Sequence, residues 1–393
     1  MIRFWLAIVL TMVAAAPLRA AVDIQEVISP GGINAWLVEE NSIPFLALEI
    51  RFKGGASLDP KDKRGATNQM TGLIEEGAGD LDARAFAKAR DALAASFDFD
   101  VGDDTFSVSA KFLNENRDEA VALLREALVN PRFDDEAVER VRGQVLSIIR
   151  SDATDPNTIA NRTFDTMIYG DHPYASSRDG TLESIGALTR DDMTAAHRAV
   201  LARDRIYVGA SGDISAEDLG ALLDDLLGDL PATGAPLPDD IEPLIEGGLT
   251  VVPFDTPQSV ALFGHEGIPR NDPDFFAAFV ANEIFGGNGR QSRLSLEVRE
   301  ERGLTYSVGS YLVNYDYADM LLGQFASANN RVAEAIDVVK DEWAKIAAEG
   351  VTETELEEVK TYLTGAYPLR FDGNGPIARI LVGMQTVQGF IFK

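Results

Sequence analysis

The chain has 393 residues, a formal net charge of -28, three histidines and no cysteine. The absence of cysteine excludes disulfides, thiol nucleophiles, thiolate zinc sites and a lipid-modified cysteine anchor. The acidic field repels nucleic acid and anionic membrane, and favours basic peptides or a basic partner where it is more than a well-solvated surface.

The first twenty residues, MIRFWLAIVLTMVAAAPLRA, place Arg3 ahead of an apolar run from Phe4 to Ala16 and a small residue at Ala20. That is the layout of a secretory signal peptide, too short to span a bilayer comfortably; an uncleaved anchor is the alternative. Its removal takes Arg3 and Arg19 and leaves a mature charge of about -30. No second apolar run of membrane length follows. The expectation is an exported, periplasmic protein with no membrane contact after cleavage.

Residues 21–231 read as a first domain. INAWLVEE and FLALEIRF are strand-like, a helical pattern begins near Thr67, and FDFDVGDDTFSVSAKFL alternates around a Gly-Asp-Asp turn. Two helices split by Asn130-Pro131 follow, with apolar residues at three- and four-residue spacing. A helix from Asp191 to Leu201, the strand RIYVGAS and the helix SAEDLGALLDDLLGDL complete the unit. Residues 232–248, rich in proline, glycine and acid, read as a linker.

From residue 249 to 393 the pattern restarts. LTVVPF and SVALFGHEGI read as strands, PDFFAAFVANEIFG as a helix, and YSVGSYLVNYDYADMLLGQFAS as strand-rich. Asn330-Arg331 followed by Glu334-Ala335 echoes Asn116-Arg117 followed by Glu119-Ala120, and the acidic helix start at Thr352 to Val359 echoes Asp134 to Val141. The interval, about 215 residues, is too long for a solenoid and points to two duplicated α+β domains. Counterparts of the first domain's last strand and helix would fall beyond residue 400, so the second domain is expected to lack them.

The chemical inventory is thin. His172, His197 and His265 are isolated from one another in sequence, so no paired-histidine zinc motif is present, and each suits a local hydrogen bond or cap. GASGD at 209–213 only loosely resembles a serine-hydrolase elbow. Gly286, Gly287 and Gly289 follow a helix and lack a lysine, which fits a tight turn better than a phosphate loop. The acid pairs Glu75-Glu76 and Asp103-Asp104 are expected in so acidic a chain.

LEVREERGLTYSVGSY, residues 296–311, is the exception. Arg299 sits late in a helical pattern, Gly303 is a natural helix stop, and Tyr306 opens a strand pattern seven positions later. Such a junction can aim a forked cation and a neutral phenol donor into one cleft, where they could hold a peptide carbonyl or its oxyanion. An ion pair of Arg299 with Glu297 or Glu300, and a sheet-packed Tyr306, are the structural alternatives.

The stretch from Pro257 to Tyr311 resembles the C-terminal domain of insulinase/pitrilysin-like zinc peptidases, and the likeness extends over most of the mature chain. The resemblance implies two similar α+β domains, each a mainly antiparallel sheet with helices, forming a half-shell. It also implies that Arg299 and Tyr306 match the family's active-site arginine and tyrosine, as catalytic and substrate-binding residues. The family's zinc motif H-x-x-E-H maps onto GATNQMTGLIEEGAGD, with Asn68 and Gly72 at the histidines and Thr71 at the glutamate. A later glutamate would fall near Ser147 and Ile148. No metal ligand stands at any of these positions, so no cofactor is expected in this chain. The pattern resembles the non-catalytic subunit of two-chain bacterial members, inactive alone, with zinc in a homologous partner subunit and peptides as substrates. A scaffold or peptide-binding protein of the same fold is the alternative.

Overall fold

The computed structural model describes residues 23–287 and 291–387. The expected signal peptide, Gly289 and the end of VQGFIFK lie outside the described residues. In the first half the strands are β1 (Gln25–Ile28), β2 (Asn34–Glu39), β3 (Phe45–Lys53), the short pair β4 (Gly77–Ala78) and β5 (Leu81–Asp82), β6 (Ser96–Val101), β7 (Thr105–Leu113) and β8 (Ile206–Gly212). The helices are α1 (Ala66–Thr71), α2 (Ala83–Ala92), α3 (Arg117–Val129), α4 (Asp135–Asp152), α5 (Pro156–Tyr169), α6 (Leu182–Ala187), α7 (Arg190–Val200) and α8 (Ala216–Leu227).

Six of these strands form one sheet in the order β1-β2-β8-β3-β7-β6, antiparallel except for β2 with β8. Alternation drives it. Leu46, Leu48, Ile50 and Phe52 of β3 are buried beside Phe106, Val108, Ala110 and Phe112 of β7. Helices α3, α4, α7 and α8 contribute Leu124, Val141, Met193 and Leu223 to the same core. Their starts are chemically marked: Thr189 caps α7 in a reciprocal box with Asp192, and Asp155 accepts the Thr158 N–H at 2.8 Å where Pro156 opens α5.

The second half contains β9 (Gln258–Glu266), α9 (Phe275–Gly286), a π-helical turn (Ser295–Glu300), β10 (Val308–Asn314), β11 (Asp319–Ala328), α10 (Val332–Glu349), α11 (Glu353–Ala366) and α12 (Asn374–Thr386). Its sheet is β10-β11-β9, wholly antiparallel. The repeat is legible element by element: β3, β6, β7, α3, α4 and α5 recur in order as β9, β10, β11, α10, α11 and α12. Among the described residues nothing matches β8 or α8. One expected strand is absent. LTVVPF, at 249–254, occupies the place of β2 but pairs with no strand, and Leu249 and Val251 are each 72 % exposed. The physical reason is visible in the first half, where β2 is held in the sheet by a parallel ladder to β8. Among the described residues no strand equivalent to β8 offers the apolar segment such a ladder, and residues 231–257 carry no helix or strand.

The two halves exchange helices. Helix α12 of the second half lies across β8, β3 and β2 of the first sheet, while its counterpart α5 of the first half lies against β9 of the second. Ala378, Leu381 and Val382 of α12 are buried there, and the Gln385 side-chain amide donates to the Val208 carbonyl at 2.7 Å. The approach is close because Gly209 has no side chain: a Cβ there would stand 2.2 Å from the Ala378 carbonyl oxygen. Around α5, Tyr169, Tyr174, Tyr317 and Met320 form a second joint between the halves.

Gly209→Ala is therefore expected to force α12 off the sheet and to lower stability by about 1–3 kcal/mol. Gly247→Ala, with nothing within 4 Å of the added carbon, should stay within about 0.5 kcal/mol of the parent. Urea unfolding of the two variants checks this.

Candidate functional site

Arg299 and Tyr306 are brought together. The π-helical turn is anchored by Leu294 and Val298, both fully buried beside Phe285 and Phe325. Its widened ladder shows in the Glu301 N–H, which donates to the Leu296 carbonyl at 2.9 Å. Gly303, at φ +58°, then ends it as the spacing predicted, donating to the Arg299 carbonyl at 2.9 Å. Here Tyr306 departs from expectation, because it lies before the strand, which begins only at Val308. The Thr305 hydroxyl binds the carbonyls of Ser307 and Ala326 at 2.8 and 2.6 Å, and the Ser327 hydroxyl binds that of Leu304 at 2.6 Å. These side-chain bonds replace the ladder over 304–307 and hold a turn instead.

The turn presents Tyr306 to solvent, 86 % exposed. The Arg299 guanidinium carbon stands 5.3 Å from the Tyr306 ring centroid, a cation–π contact. Of the two glutamates that could have claimed Arg299, Glu297 is taken by Arg302. Glu300 comes only to 3.5 Å, with both side chains partly exposed, a pair contributing less than about 1 kcal/mol. The arginine is thus stacked on the tyrosine with most of its donors uncommitted. Two neighbouring polar groups, one a permanent cation and one a phenol, can hydrogen-bond a single carbonyl oxygen.

The positions that the resemblance assigns to a zinc motif are engaged in the fold. On α1 the Asn68 amide donates to Asp179 at 3.0 Å, and the buried Thr71 hydroxyl donates back to the Thr67 carbonyl at 2.8 Å. A Cβ on Gly72 would meet Val141 at 3.1 Å. On α4, Ser147 and Ile148 point outward, and the core-facing residues of that turn are Val145 and Ile149. An amide, two hydroxyls, a glycine and one aliphatic side chain do not fit a zinc ion, which requires imidazole, thiolate or carboxylate donors. Among the described residues no three His, Asp or Glu side chains lie together as a ligand set.

The histidines take the local roles their isolation implied. His172 Nδ1 accepts the Tyr174 N–H at 3.3 Å and caps a short turn, His197 is buried on the Leu128 carbonyl at 2.9 Å, and His265 bonds the Glu266 carbonyl. Burial pushes His172 and His197 down from the ordinary imidazole value. Ser211, in the elbow-like GASGD, is buried under α12 with its hydroxyl 3.4 Å from Asn374, out of reach of any substrate.

Sequence reasoning passed over the pair Asp103-Asp104. Asp104, in the β6–β7 turn, accepts the Tyr174 hydroxyl at 2.6 Å and the Asp316 N–H of the β10–β11 turn at 3.0 Å. Burial pushes its carboxyl up to about 6, against those two hydrogen bonds. The missed signal was the repeat itself: VGDDT and NYDYAD are equivalent hairpin turns, and duplicated turns can meet at the joint between halves.

Restoring the family's glutamate with Thr71→Glu places a carboxylate in a buried helix. It should lower stability by about 1–3 kcal/mol at neutral pH. The cost should shrink near pH 4, because a buried carboxyl has a raised pKa and folds best when protonated. Urea melts at the two pH values check both parts.

Two models of one family match in succession: Insulinase (Peptidase family M16) over residues 36–181 and Peptidase M16 inactive domain over residues 187–363. A protein named non-peptidase homolog YmxG, from Helicobacter pylori, is 28% identical over 336 residues, covering 85% of this chain and 78% of that protein. An uncharacterized zinc protease of Mycobacterium leprae is 29% identical over 357 residues, 89% of this chain and 80% of its own. Among solved structures, a peptidase M16 inactive domain from Pseudomonas fluorescens superposes with a TM-score of 0.86 at 27% identity, covering 92% of this chain and 87% of that one. Pitrilysin, at 14% identity, shares the fold with a TM-score of 0.71 over 94% of this chain and 41% of its own. The chain belongs to the insulinase (M16) family of peptidases.

Proposed function

We propose that this chain is the metal-free subunit of a two-chain, exported zinc peptidase, to which it contributes Arg299 and Tyr306. The observation that carries the reading is one-sided: the arginine and tyrosine are stacked and presented on a buttressed turn, while every zinc-motif position is committed to the fold. The non-peptidase name of the Helicobacter pylori relative and the inactive-domain description of the matched family model support it. The signal-like first twenty residues support export to the periplasm.

In this reading a homologous partner brings the metal, the general base and the strand edge that aligns the peptide. This chain closes the other half of the chamber. Arg299 and Tyr306 hydrogen-bond the scissile carbonyl, and the bonds strengthen as negative charge develops on its oxygen. One such donor is typically worth about 10²–10³ in rate. A peptide-binding scaffold of the same fold would keep the exposed pair but draw no turnover from it.

Co-expression with an exported H-x-x-E-H homologue, followed by cleavage assays on a mixed peptide library, separates the two. Arg299→Ala is expected to reduce kcat by about 10²-fold or more and Tyr306→Phe by about 10–10²-fold, with subunit assembly unchanged. Full turnover in both variants would overturn the role assigned to the pair.

A further inference from the structure

Where the two halves meet, acidic and aromatic side chains face one another with too little positive charge to balance them. Asp103 and Asp104 come from the β6–β7 turn, Asp165 and Tyr169 from α5, and Tyr315 from the β10–β11 turn. Asp165 is half-buried and has neither a hydrogen bond nor an ion pair with any described residue; the charge acting on it is that of Asp103, of the same sign. One carboxylate oxygen of Asp103 is buried without a hydrogen-bond partner. Arg64 forms a long ion pair with it at 3.6 Å, while its two terminal nitrogens donate to the carbonyls of Ala56, Pro173 and Ser176. Arg162, one turn before Asp165, approaches Asp152 at 3.9 Å instead.

A second, independent feature points into the same place. Tyr169 is only 2 % exposed, yet its hydroxyl has no partner. A buried phenol without a hydrogen bond is unusual and costs about 1–3 kcal/mol. Burial pushes that phenol's pKa up first, and the charges of Tyr315, Asp165, Asp103 and Asp104 push it in the same direction. The rings of Tyr169 and Tyr315 lie 6.3 Å apart, with Tyr174 at 5.4 Å from the first and 4.9 Å from the second. Carboxylates, an uncommitted phenol and aromatic faces together are the complement of an organic cation.

We propose that this junction is a binding site for a guanidinium group, the side chain of an arginine in a bound peptide. Guanidinium fits better than ammonium because it is planar, weakly hydrated, carries five donors for the split carboxylates, and stacks on tyrosine. A metal ion does not fit, since no three ligand side chains converge there among the described residues. The site stands apart from Arg299 and Tyr306. Tyr306 and Tyr315 flank opposite ends of β10, nine residues and roughly 30 Å apart along an extended chain. The inference therefore does not depend on the peptidase reading.

Binding requires ionised carboxylates. Burial pushes both Asp104 and Asp165 up to about 6, and Asp103 up as well. The other charged groups facing the cluster are Arg64, Arg178 and Asp179 around Asp103, and Asp316 beside Asp104, itself paired with Lys53 at 3.4 Å. Occupancy should be high above pH 7 and fall below pH 6 as protons displace the cation.

The test is isothermal calorimetry on the full chain with N-acetyl-arginine amide, its neutral isostere N-acetyl-citrulline amide, and N-acetyl-lysine amide. At pH 7.5 the arginine probe should bind saturably at one site, the lysine probe more weakly and the citrulline probe not at all. Asp165→Asn should weaken the arginine probe about tenfold or more and Tyr169→Phe several-fold, with Arg299→Ala unchanged. At pH 5 the wild-type affinity should drop by a similar factor. Absence of saturable arginine binding, equal binding of citrulline, affinity unmoved at pH 5, or unmoved affinity in folded Asp165→Asn and Tyr169→Phe would each overturn the proposal.

Discussion

The contact on which the molecule depends is the crossing of α12 over β8. A helix from the end of the second half covers the sheet of the first, at a distance only glycine at position 209 allows. The counterpart crossing, α5 on β9, ties the second sheet back to the first half. Because each half lays its own copy of this helix on the other's sheet, the halves hold one another in a fixed relation. Hydrophobic burial of Leu381 and Val382 drives the crossing, and side-chain bonds such as Gln385 to Val208 fix its register. The turn carrying Arg299 and Tyr306 inherits that rigidity through the core of Leu294, Val298 and Phe325.

The same physics explains why positions 68, 71 and 72 and the Arg299–Tyr306 turn meet different demands. Positions 68, 71 and 72 serve the first-half core and its hydrogen bonds, so their side chains answer to packing. Tyr306 has Arg299 on its ring face and is otherwise turned to solvent. A large aromatic held almost fully in solvent, with an arginine on its face, gains little stability from its position, which fits a group held for an external ligand.

Much of the fold was legible in the sequence because the duplication repeats its own signals. The alternation of β3, β6 and β7, the paired helices α3–α4 and α10–α11, and the glycine stop at Gly303 all stand where spacing placed them. What was missed depends on partners remote in sequence. Helices α5 and α12 each pack on the sheet of the other half, a partner that local spacing does not reveal. LTVVPF has strand composition but no neighbouring strand to pair with. Tyr306 continues an alternating pattern, yet the hydroxyls of Thr305 and Ser327 divert the backbone into a turn. Asp103 and Asp104 looked like two acids among many, and only the meeting of equivalent hairpin turns gives them a role.

The most direct measurement of the central claim is a titration: peptide cleavage by an exported H-x-x-E-H homologue, followed as this chain is added. Cleavage by either chain alone is expected to be negligible, with activity rising to a plateau at one-to-one stoichiometry and lost on chelation. Chelator-sensitive cleavage by this chain alone, or a partner whose activity is indifferent to its addition, would contradict it.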